Sequence, residues 1–175
     1  SKNSALPLLA ASLLTSEPIH FSSMPYLSDI SNMSKLLAEL GCKVDQSENS
    51  ISIQVTDDTT SHARYDIVRT MRASVCVLGP LLAKRGKVRV SMPGGCAFGD
   101  RPIDLHLRGL EALGAKIELD GGDIIATAQK LKGATIFLGG PFGSTVLGTA
   151  NVMSAATLAE GRTIIESAAC EPEIT

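Results

Sequence analysis

The run SMPGGCAFGDRPIDLH, residues 91–106, brings a thiol (Cys96), a guanidinium (Arg101), a carboxylate (Asp104) and an imidazole (His106) into one short stretch. Gly94, Gly95 and Gly99 flank the cysteine, and its nearest large apolar neighbour is Phe98. Such a segment suits neither a strand nor a helix, so it reads as an accessible loop. A thiolate is the reactive form of cysteine, and a neighbouring cation favours it. Arg101 is therefore placed to activate Cys96 or to share a bound anion with it. The competing reading is a tolerated surface cysteine in a connection. Cys42, directly after Gly41, and Cys76, in an apolar helix read from ASVCVLGPLLA, are expected to be small buried residues. Cys170, in SAACEP, fits either reading.

Two further cations belong with the loop. Lys2 precedes a helix, and Arg72 in VRTMRASV stands at the start of another. Helix N-termini favour anions, and Lys and Arg add charge and directed N–H donors, so Lys2, Arg72 and Arg101 together suggest a phosphate cradle. Each taken singly reads as a solvated surface charge. Among the histidines, His20 is expected in a strand, His62 in a polar connector and His106 in the helix after the loop. No two have metal-ligand spacing. Neither GxxxxGK[ST], nor GxGxxG after a strand, nor GxSxG occurs. The residues alone lead to an anion-binding α/β lobe with a suspect cysteine, and no metal or cofactor is expected.

Composition bounds the partners. The 175 residues are enough for one domain or one lobe, with 44% hydrophobic and 19% charged residues. A net charge of −2, 3% aromatics and no Trp argue against nucleic acid. Four cysteines without a CxxC fit reduced thiols in a cytosol. The opening SKNSALPLLAASLL mimics a signal peptide, but TSEPIHF follows instead of a small-residue cleavage site, so a core helix is expected. No run reaches the length of a membrane span. Neither a membrane partner nor an obligate oligomer is indicated.

The elements that must carry these residues recur along the chain. An Ala/Leu-rich helix leads to a β-branched strand such as KVRVSM or RTIIES, and then to a linker containing Pro and an acidic residue. In two copies a second helix ending in Leu-Gly and a strand hairpin follow. Leu40-Gly41 and Leu113-Gly114 lie about 73 residues apart. Asp29 and Asp104 are expected near the starts of the second helices, and Gly41 and Gly114 in left-handed caps at their ends. CKVDQSENSISIQV and AKIELDGGDIIATA read as hairpins. The units are placed at about 1–58, 59–130 and 131–175, the third stopping before its second helix. The chain is accordingly expected to be a lobe of a longer polypeptide.

SKNSALPLLAASLL, TMRAS, PGGCAFGDRPIDLHLRGLEALGAKI and MSAATLAEGRTIIESAACEPEI together resemble the UDP-N-acetylglucosamine enolpyruvyl transferases (1-carboxyvinyltransferases), over essentially the whole chain. The resemblance implies an α/β (α+β) fold in two lobes, each of three βαβαββ units around a pseudo-threefold axis, with this chain as most of one. It also implies transfer of enolpyruvyl from phosphoenolpyruvate to the 3-hydroxyl of UDP-N-acetylglucosamine, with release of phosphate and without a cofactor. That is the first committed step of peptidoglycan synthesis in the bacterial cytoplasm, on which cell-wall biogenesis, cell shape and division depend.

By motif position, the resemblance makes Cys96 the mobile-loop cysteine. It acts as general acid or in product release, adds to phosphoenolpyruvate, and is alkylated by fosfomycin. Lys2 and Arg101 join it as catalytic residues, and Lys2, Arg72 and Arg101 bind the phosphate and carboxylate of phosphoenolpyruvate. Asn3 touches the sugar. Arg101, Pro102, Ile103, Asp104 and His106 line the uridine end, and Thr145 with Val146 contacts diphosphate or uridine through backbone groups. Two positions depart from the pattern. Gly143-Ser144-Thr145-Val146-Leu147 stands where the family has Lys-x-Ser-Val-Gly, and Cys170 stands where an arginine is common. The family's catalytic aspartate and a further arginine belong to the other lobe, so no turnover is expected of this stretch alone. The alternatives are the related shikimate-pathway enolpyruvyl transferase, which lacks such a Gly-Gly-Cys loop, and a non-catalytic anion-binding lobe.

Overall fold

The computed structural model describes residues 2–68, 71–92 and 103–175. Its strands form three sheets, each drawn from one stretch of chain. In the first, β1 (Ile19–Ser22) and β2 (Cys42–Gln46) both pair antiparallel with β3 (Ser50–Val55). The second has the order β4-β5-β7-β6, from β4 (His62–Ala63), β5 (Lys87–Ser91), β6 (Lys116–Asp120) and β7 (Asp123–Thr127). There β4 runs parallel to β5, and the other pairs are antiparallel. In the third, β8 (Thr135–Phe137) runs parallel to β9 (Ile164–Glu166). The two expected hairpins are present as β2–β3 and β6–β7.

The helices divide by how much of their circumference is covered. α1 (Lys2–Ala11), α4 (Leu78–Arg85) and α6 (Val146–Ala156) are apolar or small over most of their lengths. Such helices must be surrounded, and accordingly α4 and α6 pack on each other, and α6 also on α1. By contrast, α2 (Ser28–Glu39) buries Ile30, Met33, Leu36 and Leu37 at helical spacing and leaves its other face wet. Likewise α5 (Asp104–Ala112) buries His106, Gly109 and Leu110. The sheets contribute alternating residues, Ile51 and Ile53 from β3, Val88 and Val90 from β5, Ile124 and Ala126 from β7, to a single apolar cluster. A short helix α3 (Tyr65–Val68) follows β4.

Helix ends behave as the residues dictate. Gly41 and Gly114 follow α2 and α5 with φ of +88° and +99°, a region that costs a side-chain-bearing residue but not glycine. Asp29 and Asp104 stand in the first turns of the same two helices. Arg85, in the last turn of α4, donates Nη2 to the carbonyl of Leu40 at 2.8 Å and Nη1 to that of Thr60. One guanidinium thereby holds the end of α2 and the linker before β4.

Two sequence readings need correction. Cys76 is buried as expected, but it lies in a 3-10 helix, Arg72–Val77, that precedes α4. Pro80 has no N–H to give the carbonyl of Cys76, and its ring crowds that carbonyl, so regular α-helix begins only at Leu78. His62 opens strand β4 and is not in a connector, paired in register with Arg89. A two-residue strand has no periodicity to read; the edge of β5 creates it, with the Arg89 N–H donating to the Ser61 carbonyl at 2.8 Å.

Gly79 and Gly109 set how closely the helices approach. A Cβ on Gly79 would strike the backbone and side-chain oxygens of Asn151, and one on Gly109 would strike the Val152 side chain. Gly79→Ala must therefore push α4 off α6. Overpacking of this kind costs about 1–3 kcal/mol, and urea unfolding should show a loss in that range; unchanged stability would mean the helices are not packed this tightly.

On one face of the second sheet, Asp123 accepts from Arg89 Nε, with His62 Nε2 4.0 Å away. Hydrogen bonds from Ser91 and Arg89 hold the Asp123 carboxyl below its ordinary value of 3.8. A group depressed in the folded state stabilises above its unfolded pKa, and that stabilisation disappears as pH falls through the folded value. The stability difference between the unaltered chain and Asp123→Asn should thus shrink as pH falls below about 5. A difference that stays constant from neutral pH to pH ~3 would contradict it.

Candidate functional site

α5 and α6 begin against the same cavity, about 610 Å³ in volume. From α5 and the residue before it come Ile103, Asp104, Leu105 and His106. From α6 and its approach come Ser144, Thr145, Val146 and Leu147, with the turn Gly140–Gly143 closing one side and Val75 the floor. Such a volume accommodates a small-molecule ligand.

Local chemistry explains each wall. Thr145 is the N-cap of α6, its Oγ1 accepting from the Gly148 N–H at 3.1 Å. Its carbonyl accepts from Thr149 Oγ1 at 2.7 Å, and Thr149 Oγ1 accepts in turn from the Ala169 N–H at 3.1 Å. The cap is thus braced by the segment after β9. Gly140 and Gly143 exchange backbone hydrogen bonds of 2.9 and 3.0 Å, making a tight turn whose tip, Phe142, is 95% exposed. Arg108 Nη2 ties α5 to this turn through the Gly139 carbonyl at 2.8 Å.

The electrostatics follow from the two helix starts. The first N–H groups of a helix have no intrahelical acceptor and carry its positive dipole end. Two such starts facing one cavity favour an anion, and backbone donors can cradle phosphate oxygens. The Asp104 carboxylate, also on the wall, supplies an acceptor for ligand N–H or O–H groups. Ile103, Leu105 and Phe142 add apolar surface. A ligand with an anionic part, polar edges and a flat apolar part matches this combination.

The structure brings together five of the residues singled out in the sequence: Ile103, Asp104, His106, Thr145 and Val146. Asn3 does not join them; it is exposed in the first turn of α1. Lys2 and Arg72 occupy the first positions of α1 and the 3-10 helix, and these two helices pack on each other and on α6. Cys96, Arg101 and Pro102 lie outside the described residues.

The residue missed by sequence reasoning is Asn151. It is 1% exposed within α6, and its side chain bonds Gly79, Val75 and His106. Its signal was available: a lone amide in TANVMSAA, a run otherwise of apolar and small residues. Such a residue must find internal partners.

The described thiols differ sharply. Burial pushes Cys42 up to about 11 and Cys76 up to about 12, whereas Cys170 is exposed. Since the thiolate is the nucleophile, iodoacetamide at neutral pH should label Cys170 in the folded chain and reach Cys42 and Cys76 only on unfolding. Peptide mass spectrometry reads this directly, and rapid native labelling of Cys76 would contradict its burial.

The arrangement of three sheets and their helices is shared with solved enolpyruvyl transferases. The chain is similar to the enolpyruvyl transferase NikO from Streptomyces tendae, with a TM-score of 0.84 over 99% of this chain and 40% of that one, at 18% identity. It is also similar to EPSP synthase from Acinetobacter baumannii, with a TM-score of 0.75 over 99% of this chain and 40% of that one, at 15% identity. The chain belongs to the EPSP synthase (3-phosphoshikimate 1-carboxyvinyltransferase) family, which matches residues 1–175.

Within it, the chain is 56% identical over 174 residues to UDP-N-acetylglucosamine 1-carboxyvinyltransferase of Methylacidiphilum infernorum, covering 99% of this chain. It is 53% identical to UDP-N-acetylglucosamine 1-carboxyvinyltransferase 2 of Carboxydothermus hydrogenoformans, again over 99% of this chain. The resemblance carried by the loop and flanking motifs is therefore borne out. The chain spans about 41% of the length of these relatives.

Proposed function

We propose that this chain is part of a UDP-N-acetylglucosamine 1-carboxyvinyltransferase. The reaction moves enolpyruvyl from phosphoenolpyruvate to the sugar 3-hydroxyl and releases phosphate. The observation that carries the reading is the convergence of two helix starts, with Asp104, on one cavity, in a chain whose relatives at 49–56% identity bear that name. The cavity suits part of a nucleoside diphosphate sugar: N–H groups at Val146 and Leu147 for phosphate oxygens, Asp104 for donors on the base, and Ile103 and Leu105 for its face.

The chemistry is addition followed by elimination. The sugar oxygen attacks C2 of phosphoenolpyruvate while C3 takes a proton, giving a tetrahedral ketal; C3 then loses a proton as phosphate departs. An acid is needed at C3, a base at the hydroxyl, and cations at the phosphate and carboxylate. From the motif, Cys96 is assigned to the thiol role and to alkylation by fosfomycin, and Lys2, Arg72 and Arg101 to the anion. Asn3 and Pro102 are assigned to the sugar nucleotide. The base and the remaining cation are assigned to a second lobe, so turnover belongs to the whole polypeptide. In a bacterial cytoplasm this activity would commit carbon to peptidoglycan.

The test is phosphate release from phosphoenolpyruvate by the full-length polypeptide that carries this chain. Release is expected with UDP-N-acetylglucosamine and not with shikimate 3-phosphate, and the reverse pattern would overturn the reading. Cys96→Ser should lower turnover by about 10²–10⁴-fold, the usual worth of a positioned proton donor, with sugar-nucleotide affinity retained. Unchanged turnover would make the thiol a spectator.

A further inference from the structure

The structure assigns Asn151 as the positioning residue that holds His106, on the cavity wall, in its Nε2–H tautomer.

The assignment follows from backbone groups whose roles allow no choice. Asn151 Oδ1 lies 2.6 Å from the Gly79 nitrogen, which can only donate. Asn151 Nδ2 lies 3.1 Å from the Val75 carbonyl, which can only accept. These two contacts fix which end of the amide is oxygen, a question that side-chain networks usually leave to inference. Nδ2 carries two protons. One goes to Val75, and the second points at His106 Nδ1, 3.0 Å away. An amide NH₂ has no lone pair to offer, so Nδ1 must accept and must be unprotonated. The ring proton of neutral His106 then sits on Nε2. Asn151 and His106 are buried, at 1% and 5% exposure, where a donor facing a donor would leave both groups unsatisfied.

The consequence reaches the cavity. A neutral imidazole can present either a donor or an acceptor at Nε2. The chain of contacts from Gly79 and Val75 through Asn151 settles it as a donor, so the group that meets Nε2 must be an acceptor.

The tautomer can be read without any variant. In the full-length polypeptide labelled with ¹⁵N in histidine and asparagine, long-range ¹H–¹⁵N correlations distinguish the two neutral forms. A ¹⁵N–¹⁵N coupling across the hydrogen bond reports the Asn151–His106 contact. Nε2–H with a measurable coupling is expected; Nδ1–H would overturn the inference. Asn151→Asp keeps an acceptor for Gly79 but removes the donor toward the ring, so His106 should move to a form protonated at Nδ1.

The functional half rests on the proposed activity and separates from it. In a variant whose tautomer has switched, the polar preferences of a cavity-wall residue are reversed, and KM for UDP-N-acetylglucosamine should rise about tenfold, with a smaller change in kcat. An unchanged KM would overturn the positioning role and leave the enzyme assignment intact. Absence of activity in the unaltered protein would overturn that assignment and leave the tautomer standing.

Discussion

A side-chain amide enclosed by three helices governs the arrangement around it. The N–H of Gly79, in the first turn of α4, has no acceptor within its own helix, and Val77 at the N-cap provides none. Asn151 Oδ1, from α6, supplies it. The contact is possible only because residue 79 has no side chain; a Cβ there would occupy the space the amide oxygen needs. Helix capping, which is ordinarily local, is here carried out across an interface and locks the two helices in register. The same amide then bonds Val75 and His106, so a single buried group aligns the 3-10 helix, α4, α5 and α6. Buried polar groups raise the cost of every misaligned alternative, and the register is specific for that reason.

The cavity is a product of that alignment. With Asn151 joined to His106 and Gly109 pressed against Val152, α5 and α6 meet closely and their first turns open on one space. Neither start is strong alone, since a helix end is worth only about 0.3–1 kcal/mol to an anion at an exposed site. Paired, with Thr145 braced through Thr149 to Ala169 and the Gly140–Gly143 turn tied to Arg108, they form a rigid set of donors. Preorganisation of this kind lets a modest field act on a bound ligand without reordering the protein.

Much of this was readable in advance. Gly41 and Gly114 end helices because their φ values exclude most residues, and the hairpins follow from alternation around turn residues. Ile103, Asp104, His106, Thr145 and Val146, chosen by motif, do share a cavity. Two features were read wrongly. Pro80 divided one expected helix in two, and β4 exists only because β5 offers an edge. The strand depends on a neighbour distant in sequence, which local propensity does not encode, whereas the helix break follows from a proline ring and a carbonyl four residues apart.

The sequence by itself determined the principal helices, both hairpins, the burial of Cys42 and Cys76, and the family. These depend on periodicity, turn chemistry and residue type, all of which act within a few positions. Tertiary structure alone decided which helix starts face each other, and which nitrogen of His106 carries its proton. Those outcomes are set by groups up to 76 residues apart, Val75 and Asn151, whose donors and acceptors become complementary only when the helices pack.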